Sequence, residues 1–268
     1  MNRKLMVLSK YVAFALISAT HGRYDRSELY GRMAFFVVIL GVFSSLWGAT
    51  REAGLAIVAD PKSLVWYLAS TEWILLSAPL MHVDVQEALR RGDVAYEVGR
   101  PVSYVGATFA QGLGFVGSRS PLLAATAFLC AFAFTGWVPP WRALAAVVLF
   151  GSVAIALLTA LHLAIGLVAF WIGEVTPVFW VWQKLLFVFG GLMLPIRLYP
   201  PIMQRLAALT PFPDILAGPA SFVLDAQAVE AVPAHVLVVR LVMWCVATTA
   251  VVQWMYARAR RALTVNGG

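Results

Sequence analysis

Six stretches of this chain are empty or nearly empty of charge and long enough to cross a bilayer, at about 33–50, 63–83, 118–138, 143–171, 176–196 and 236–257. A helix needs about 20 apolar residues to cross a hydrocarbon core of about 30 Å. Lipid offers no partner to a backbone amide, so such runs become helices rather than open strands. With 61% hydrophobic and 12% charged residues and a mean hydropathy of +0.82, the main solvent of the chain is lipid. The predicted fold is therefore an all-α polytopic membrane protein in a single transmembrane domain over 1–268. It has six transmembrane helices, an N-terminal interfacial helix and a helical polar segment between the second and third spans.

Two runs need comment. Ala143 to Gly173 has no charge; at about 1.5 Å per residue it reaches about 46 Å, too long for an upright span and too short for two, so one tilted or protruding helix is expected. Pro101 to Ser118 is also uncharged but carries Gly106, Gly112, Gly114 and Gly117 among polar residues. It is taken as the interfacial lead-in to the third span. If it crossed instead, every later segment would change sides.

Lys and Arg orient the spans, because cytoplasmic segments carry the excess. With the N-terminus inside, thirteen of the 20 fall on the cytoplasmic side, six on the other and one, Lys184, inside a span. Both termini are thereby expected in the cytoplasm. The net charge of +7 follows from this bias and calls for no nucleic acid. The N-terminal MNRKLMVLSKYVAFALISAT has the outline of a signal peptide. Tyr11 to Ala19 is too short to span, and Arg23, Arg26 and Arg32 follow it, so an uncleaved helix along the inner leaflet is expected.

Between Val83 and Tyr104 lies a charged island, VDVQEALRRGDVAYEVGRPVSY, which cannot lie in hydrocarbon and is placed on the cytoplasmic face. Asp84, Glu87, Arg90 and Arg91 follow helical spacing that lets Glu87 pair with Arg90 or Arg91. Gly92 is a natural helix stop, Asp93 a candidate cap for a second short helix, and Pro101 its end.

Polar groups inside the spans are the other candidates, since charge in hydrocarbon is expensive and faces a cavity or a partner. Lys184 lies about 13 Å into the fifth span and Glu72 at a similar depth in the second. An ion pair between them would neutralise both, and either a substrate path or a structural pair accounts for it. His162 reads as a helix-to-helix contact, and Glu174 as a water-facing residue of an inner turn. Trp66, Trp73, Trp137, Trp141, Trp171, Trp180, Trp182 and Trp254 fall mostly near span ends and read as interfacial belts. Cys130 and Cys245 have no metal-like spacing and read as packing residues. The chain contains no G-x-x-x-x-G-K-[ST], no H-E-x-x-H and no G-x-S-x-G. No catalytic residue and no metal site is predicted.

The island carries R-x-G-x-x-x-Y-x-x-x-R-P, and Phe170 to Pro213 reads FWIGEVTPVFWVWQKLLFVFGGLMLPIRLYPPIMQRLAALTPFP. With these segments the chain resembles permease subunits of type-2 ABC transporters, within a bacterial group of multidrug or uncharacterised export permeases. The resemblance implies an interfacial helix at Met1 to Thr20 and a cytoplasmic coupling helix within the segment 84–102, docked in a groove of a separate ABC ATPase. It implies short outer helices within 198–225 and a second permease, identical or related, across the substrate path. Glu87, Arg90, Arg91, Asp93 and Arg100 would make the ATPase contact, while Lys184, Glu72 and His162 would line the path or its polar surroundings. ATP and Mg would be bound by the ATPase, and this chain would hold no cofactor. Its setting would be the bacterial cytoplasmic membrane, and its cargo a small amphipathic molecule, drug or lipid-like compound. An ion-coupled carrier or an intramembrane enzyme using Glu72, His162 or Lys184 is the alternative from the residues alone.

Overall fold

The computed structural model describes residues 3–22, 26–53, 60–94, 102–224 and 232–266. Its order is α1 (Arg3–Gly22), α2 (Arg26–Glu52), α3 (Pro61–Ser77), α4 (Met81–Arg91), α5 (Tyr104–Thr135), α6 (Trp141–Leu167), α7 (Ala169–Ile172) and α8 (Thr176–Phe189). Then follow α9 (Pro201–Ala208), α10 (Phe212–Ile215), α11 (Ala217–Ala220) and α12 (Ala234–Asn266), with 3-10 turns at Ile196–Leu198 and Ser221–Val223. Among the described residues, five helical stretches are long and apolar enough to cross a membrane: Ser27–Glu52, Pro61–Arg91, Tyr104–Thr135, Trp141–Ile172 and Ala234–Arg260.

The core is built round α3. Thirteen of its residues are buried, from Ser63 through Ile74 and again at Ser77, so it presents apolar side chains on every face, as a helix surrounded by other helices does. Asp60 and Pro61 start it, with proline where a missing N–H costs nothing. α2 contributes a narrow stripe, Phe36, Leu40 and Trp47, and leaves Val38, Val42 and Leu46 bare. Trp66 and Trp73 are not belt residues: both are buried, the Trp66 Nε1 donating to the Trp137 carbonyl at 3.0 Å and the Trp73 Nε1 to Ser120 Oγ at 3.0 Å. Trp141, Trp171, Trp180 and Trp254 are exposed on the apolar surface.

The run 63–83 is not one helix. Ala78 is extended and Pro79 supplies no amide, so α3 stops at Ser77 and α4 starts at Met81. From Tyr104 on, the lead-in and the third span, expected as separate pieces, are one helix. α5 has 32 residues, about 48 Å at 1.5 Å per residue, with Pro121 inside it, and its start is capped by Ser103 accepting from the Gly106 amide. The glycines that make this region look weak in the sequence are contact surfaces. α1 lies along the first part of α5, and a Cβ on Gly114 would sit 2.0 Å from the Ala15 carbonyl oxygen. On another side, a Cβ on Gly112 would meet Thr159 and Met81.

The fifth expected span, 176–196, holds only a 14-residue helix, α8, about 21 Å long. It ends at Gly190 and Gly191, the latter at φ 68, and the chain continues non-helically beside α3. There the Tyr67 hydroxyl donates to the Gly191 carbonyl, at 2.5 Å, and the Thr71 hydroxyl to the Leu192 carbonyl at 2.7 Å. The outer segment is divided. α9 and the residue after it are exposed at Ile202, Leu206 and Leu209, whereas the stretch from Phe212 to Val223 is mostly buried against α3, α6 and α12, with Phe222 stacked on Phe150 at 5.3 Å. Asp214 ties it to α12, accepting from Trp244 Nε1 at 3.0 Å and Arg240 at 3.3 Å. Burial pushes the Asp214 carboxyl above its ordinary value, against the pull of Arg240 and the Trp244 bond.

Because the Ala15 carbonyl occupies the space of a side chain at position 114, Gly114→Ala is expected to destabilise the protein by about 1–3 kcal/mol and to loosen α1. Thermal melting in detergent and the labelling rate of an Ala15→Cys probe check this. A variant that melts and labels like the parent would refute the packing.

Candidate functional site

α4 is held by its own sequence. Asp84 lies in the first turn and Arg90 and Arg91 in the last, matching the helix dipole, and Gly92 at φ 77 closes the end with its amide on the Ala88 and Leu89 carbonyls. Met81, His82, Val85 and Gln86 form the buried face. They seat against the end of α6 at Gly166, where a Cβ would stand 2.9 Å from the Val85 side chain and 3.0 Å from the His82 Cα, so only glycine leaves room for so close an approach. Asp84, Glu87, Arg90 and Arg91 form the exposed face.

Of the two partners open to Glu87, Arg91 is the one used, at 2.6 Å. Arg90 instead reaches Glu174, in the turn between α7 and α8. The Gln86 side chain accepts from the Val175 amide at 2.7 Å, so α4 and this turn form one surface. The Thr176 hydroxyl holds the Glu174 carboxyl below its ordinary value, with the Thr176 amide and Arg90 adding to it. Both ion pairs are exposed to water, which screens them; they arrange the surface more than they hold it. Asp93 is exposed and already helical. Arg100 and the second short helix that Asp93 is expected to cap lie outside the described residues. Sequence reasoning does not single out Glu174 or Gln86 as partners, because the two contacts join residues 84 and 89 positions apart, with no local pattern to signal them.

The break at Pro79 frees backbone carbonyls at the C-terminal end of α3, where none has an intrahelical donor. Two side chains from other helices supply donors. Arg32 of α2 donates to the Leu76 carbonyl, and His162 Nδ1 of α6 lies 2.7 Å from the Pro79 carbonyl. Arg32 also pairs with Glu28 at 2.6 Å, and Glu28 in turn with Arg119 of α5 at 2.5 Å. This network of half-buried charges ties α2, α3 and α5 together. The sequence reading takes Arg32 and Arg119 only as markers of a membrane face.

Beside the break, α2, α3, α6 and α8 enclose a cavity of about 290 Å³. Glu72 and His162 both line it, with Arg32, Gln183 and the aromatic rings of Phe179 and Trp182. Lys184 does not. It is turned away, its ammonium 5.7 Å from the Trp180 ring and 5.3 Å from that of Phe187, and the pair with Glu72 is not formed. Helical phase explains the difference: Gln183 and Phe187 share the cavity side of α8, and Lys184 is turned about 100° from Gln183. A wider apolar groove of about 1000 Å³ runs between α5, α6 and α12, past Phe128, Val148, Ser152, Cys245 and Thr249. Among the described residues no cluster of metal-binding side chains occurs.

A helical chain with several stretches long and apolar enough to cross a membrane and a polar helix at the end of one of them is a multi-pass membrane protein. The chain belongs to the ABC-2 family: the model of the ABC-2 family transporter protein matches residues 67–267, well over half of its length and all of α4 to α12. No curated protein matches it. It is a permease of a type-2 ABC transporter, the membrane subunit rather than the ATPase, and membership of the family implies ATPase partner subunits.

His162 stabilises a broken helix end, so His162→Ala leaves the partly buried Pro79 carbonyl without this donor and is expected to cost about 1–3 kcal/mol. Arg32→Met acts on the Leu76 carbonyl in the same direction. Melting of both variants in detergent checks this, and parent-like melting would remove these residues from the stabilisation of the break.

Proposed function

We propose that this chain is one of two permeases of an ATP-driven exporter, and that α4 is the coupling helix that carries motion from the ATPase into the spans. The observation that carries the reading is the construction of α4 in a chain of this family. Its apolar side is fixed against α6, its charged side faces outward, and it is joined to α3 through a non-helical break. A push on α4 is thereby passed to the core helix and, through Arg90, Glu174, Gln86 and Val175, to the start of α8. ATP and Mg belong to the partner, and this chain contributes no catalytic group. Glu87, Arg90, Arg91 and Asp93 form the described part of the docking surface, with Arg100 following in the sequence.

In this reading the membrane is crossed six times. α8 begins beside the end of α4, and the chain that follows it reaches Tyr67 in the first half of α3, so α8 and its non-helical extension make a crossing together. Both termini and α4 lie on the cytoplasmic side, as the Lys and Arg bias argues, with α1 at the inner leaflet of the bacterial cytoplasmic membrane. The bare apolar faces of α2 and α12 meet lipid or the second permease, identical or related. The cargo is a small amphipathic molecule, and Glu72 and His162 belong to its path.

The double variant Glu87→Ala, Arg90→Ala is expected to lose most co-purification with the ATPase, or to leave ATP hydrolysis uncoupled from transport, while the permease itself still folds. Co-expression with the ATPase, affinity capture and substrate-stimulated hydrolysis measure this. Undiminished capture and coupling would remove α4 as the docking element.

A further inference from the structure

The cavity at the helix break is lined by two residues, Glu72 and His162, each with a buried polar atom that no group among the described residues satisfies. A carbonyl oxygen only accepts, so the bond between Pro79 and His162 puts the proton on Nδ1. In the neutral ring Nε2 is then left with a lone pair. That atom and Glu72 Oε2 are both buried without a hydrogen-bond partner, on side chains of residues only 3% and 2% exposed. Both residues line the same cavity. Buried polar atoms left without a partner are costly, and two of them on residues that line one cavity from different helices point to a donor there.

The cations nearby do not fill this role. Arg32 lines the cavity, but its guanidinium is engaged by Glu28 and the Leu76 carbonyl. Lys184 points elsewhere, over the rings of Trp180 and Phe187. The rest of the lining is largely apolar and aromatic, with Phe179 and Trp182 beside His162 at ring distances of 5.4 and 5.0 Å. Exposed residues, Phe35, Leu80 and Met193, form the rim. Aromatic faces with a carboxylate favour a cation, and about 290 Å³ suits a small organic molecule.

We propose that this cavity binds a primary or secondary organic ammonium with an apolar body, its N–H groups donating to Glu72 Oε2 and His162 Nε2 and its body lying against the aromatic and apolar lining around Trp182. As a binding site it stands on the cavity alone. As the site of a transported substrate it rests on the permease reading above.

The test uses the full chain in phosphatidylcholine nanodiscs without ATPase, with radiolabelled 2-phenylethylamine as probe and empty discs subtracted. Saturable binding is expected. The N,N,N-trimethyl analogue, which has no N–H, should compete about tenfold more weakly or worse, and 3-phenylpropanoate should not compete. Glu72→Gln should weaken binding by about tenfold or more at unchanged melting temperature. Trp182→Leu, which keeps both acceptors, should weaken it less. No saturable binding, equal competition by the trimethyl analogue, competition by the carboxylate, or parent-like binding by Glu72→Gln would each overturn the proposal. The analogue series needs no variant, so a misfolded Glu72→Gln leaves it decisive. A chain that binds the amine but captures no ATPase would overturn the permease mechanism and leave this site in place, and the converse result would do the reverse.

Discussion

The break at Pro79 is the constraint on which the rest of the molecule depends. A helix that stops inside a bundle exposes carbonyls that neither lipid nor apolar side chains can satisfy. Here two other helices supply the donors, Arg32 from α2 and His162 from α6. Because the same break lets α4 turn its charged side outward, the donors that heal α3 also fix where the polar surface is presented. Cavity, break and α4 are one construction, and a change in the angle between α3 and α4 would be felt at all three.

A second set of constraints comes from small residues where helices must approach closely. Gly114 admits the backbone of α1, Gly112 admits Thr159 and Met81, and Gly166 admits Val85 and His82. These contacts bring α1 and α4 against the ends of α5 and α6. At the other end, the buried stretch from Phe212 to Val223 is wedged among α3, α6 and α12 and held by Asp214. Packing and polar contacts thus act together at both ends of the bundle.

Much of the architecture is legible in the chain because lipid imposes a simple rule. Charge bounds the spans, and Arg51, Lys62 and Arg142 all lie at or near helix ends. Gly92 ends α4 in the left-handed conformation that glycine favours. Where structure and sequence differ, a non-local contact intervenes. A glycine-rich run looks too weak to belong to a span until α1 is seated on it. A run of 21 apolar residues looks like one helix, yet Pro79 divides it because Arg32 and His162 stabilise the broken end. Trp66 and Trp73 look interfacial by position and are hydrogen-bonded inside. Glu72 and Lys184 look like partners by depth alone, and depth says nothing about which way a side chain faces.

The sequence by itself determined that this is a helical chain with several stretches long and apolar enough to cross a membrane, and that a charged helix follows the second of them. It did so because hydrophobicity, charge and glycine act on the residues that carry them and their near neighbours. Only the tertiary structure decided that Glu72 shares a cavity with His162 and not a bond with Lys184, that Arg90 answers Glu174, and that α3 can end where it does. Each of these joins residues many positions apart on different helices, and azimuth and close approach between helices are fixed by packing, which no single segment records.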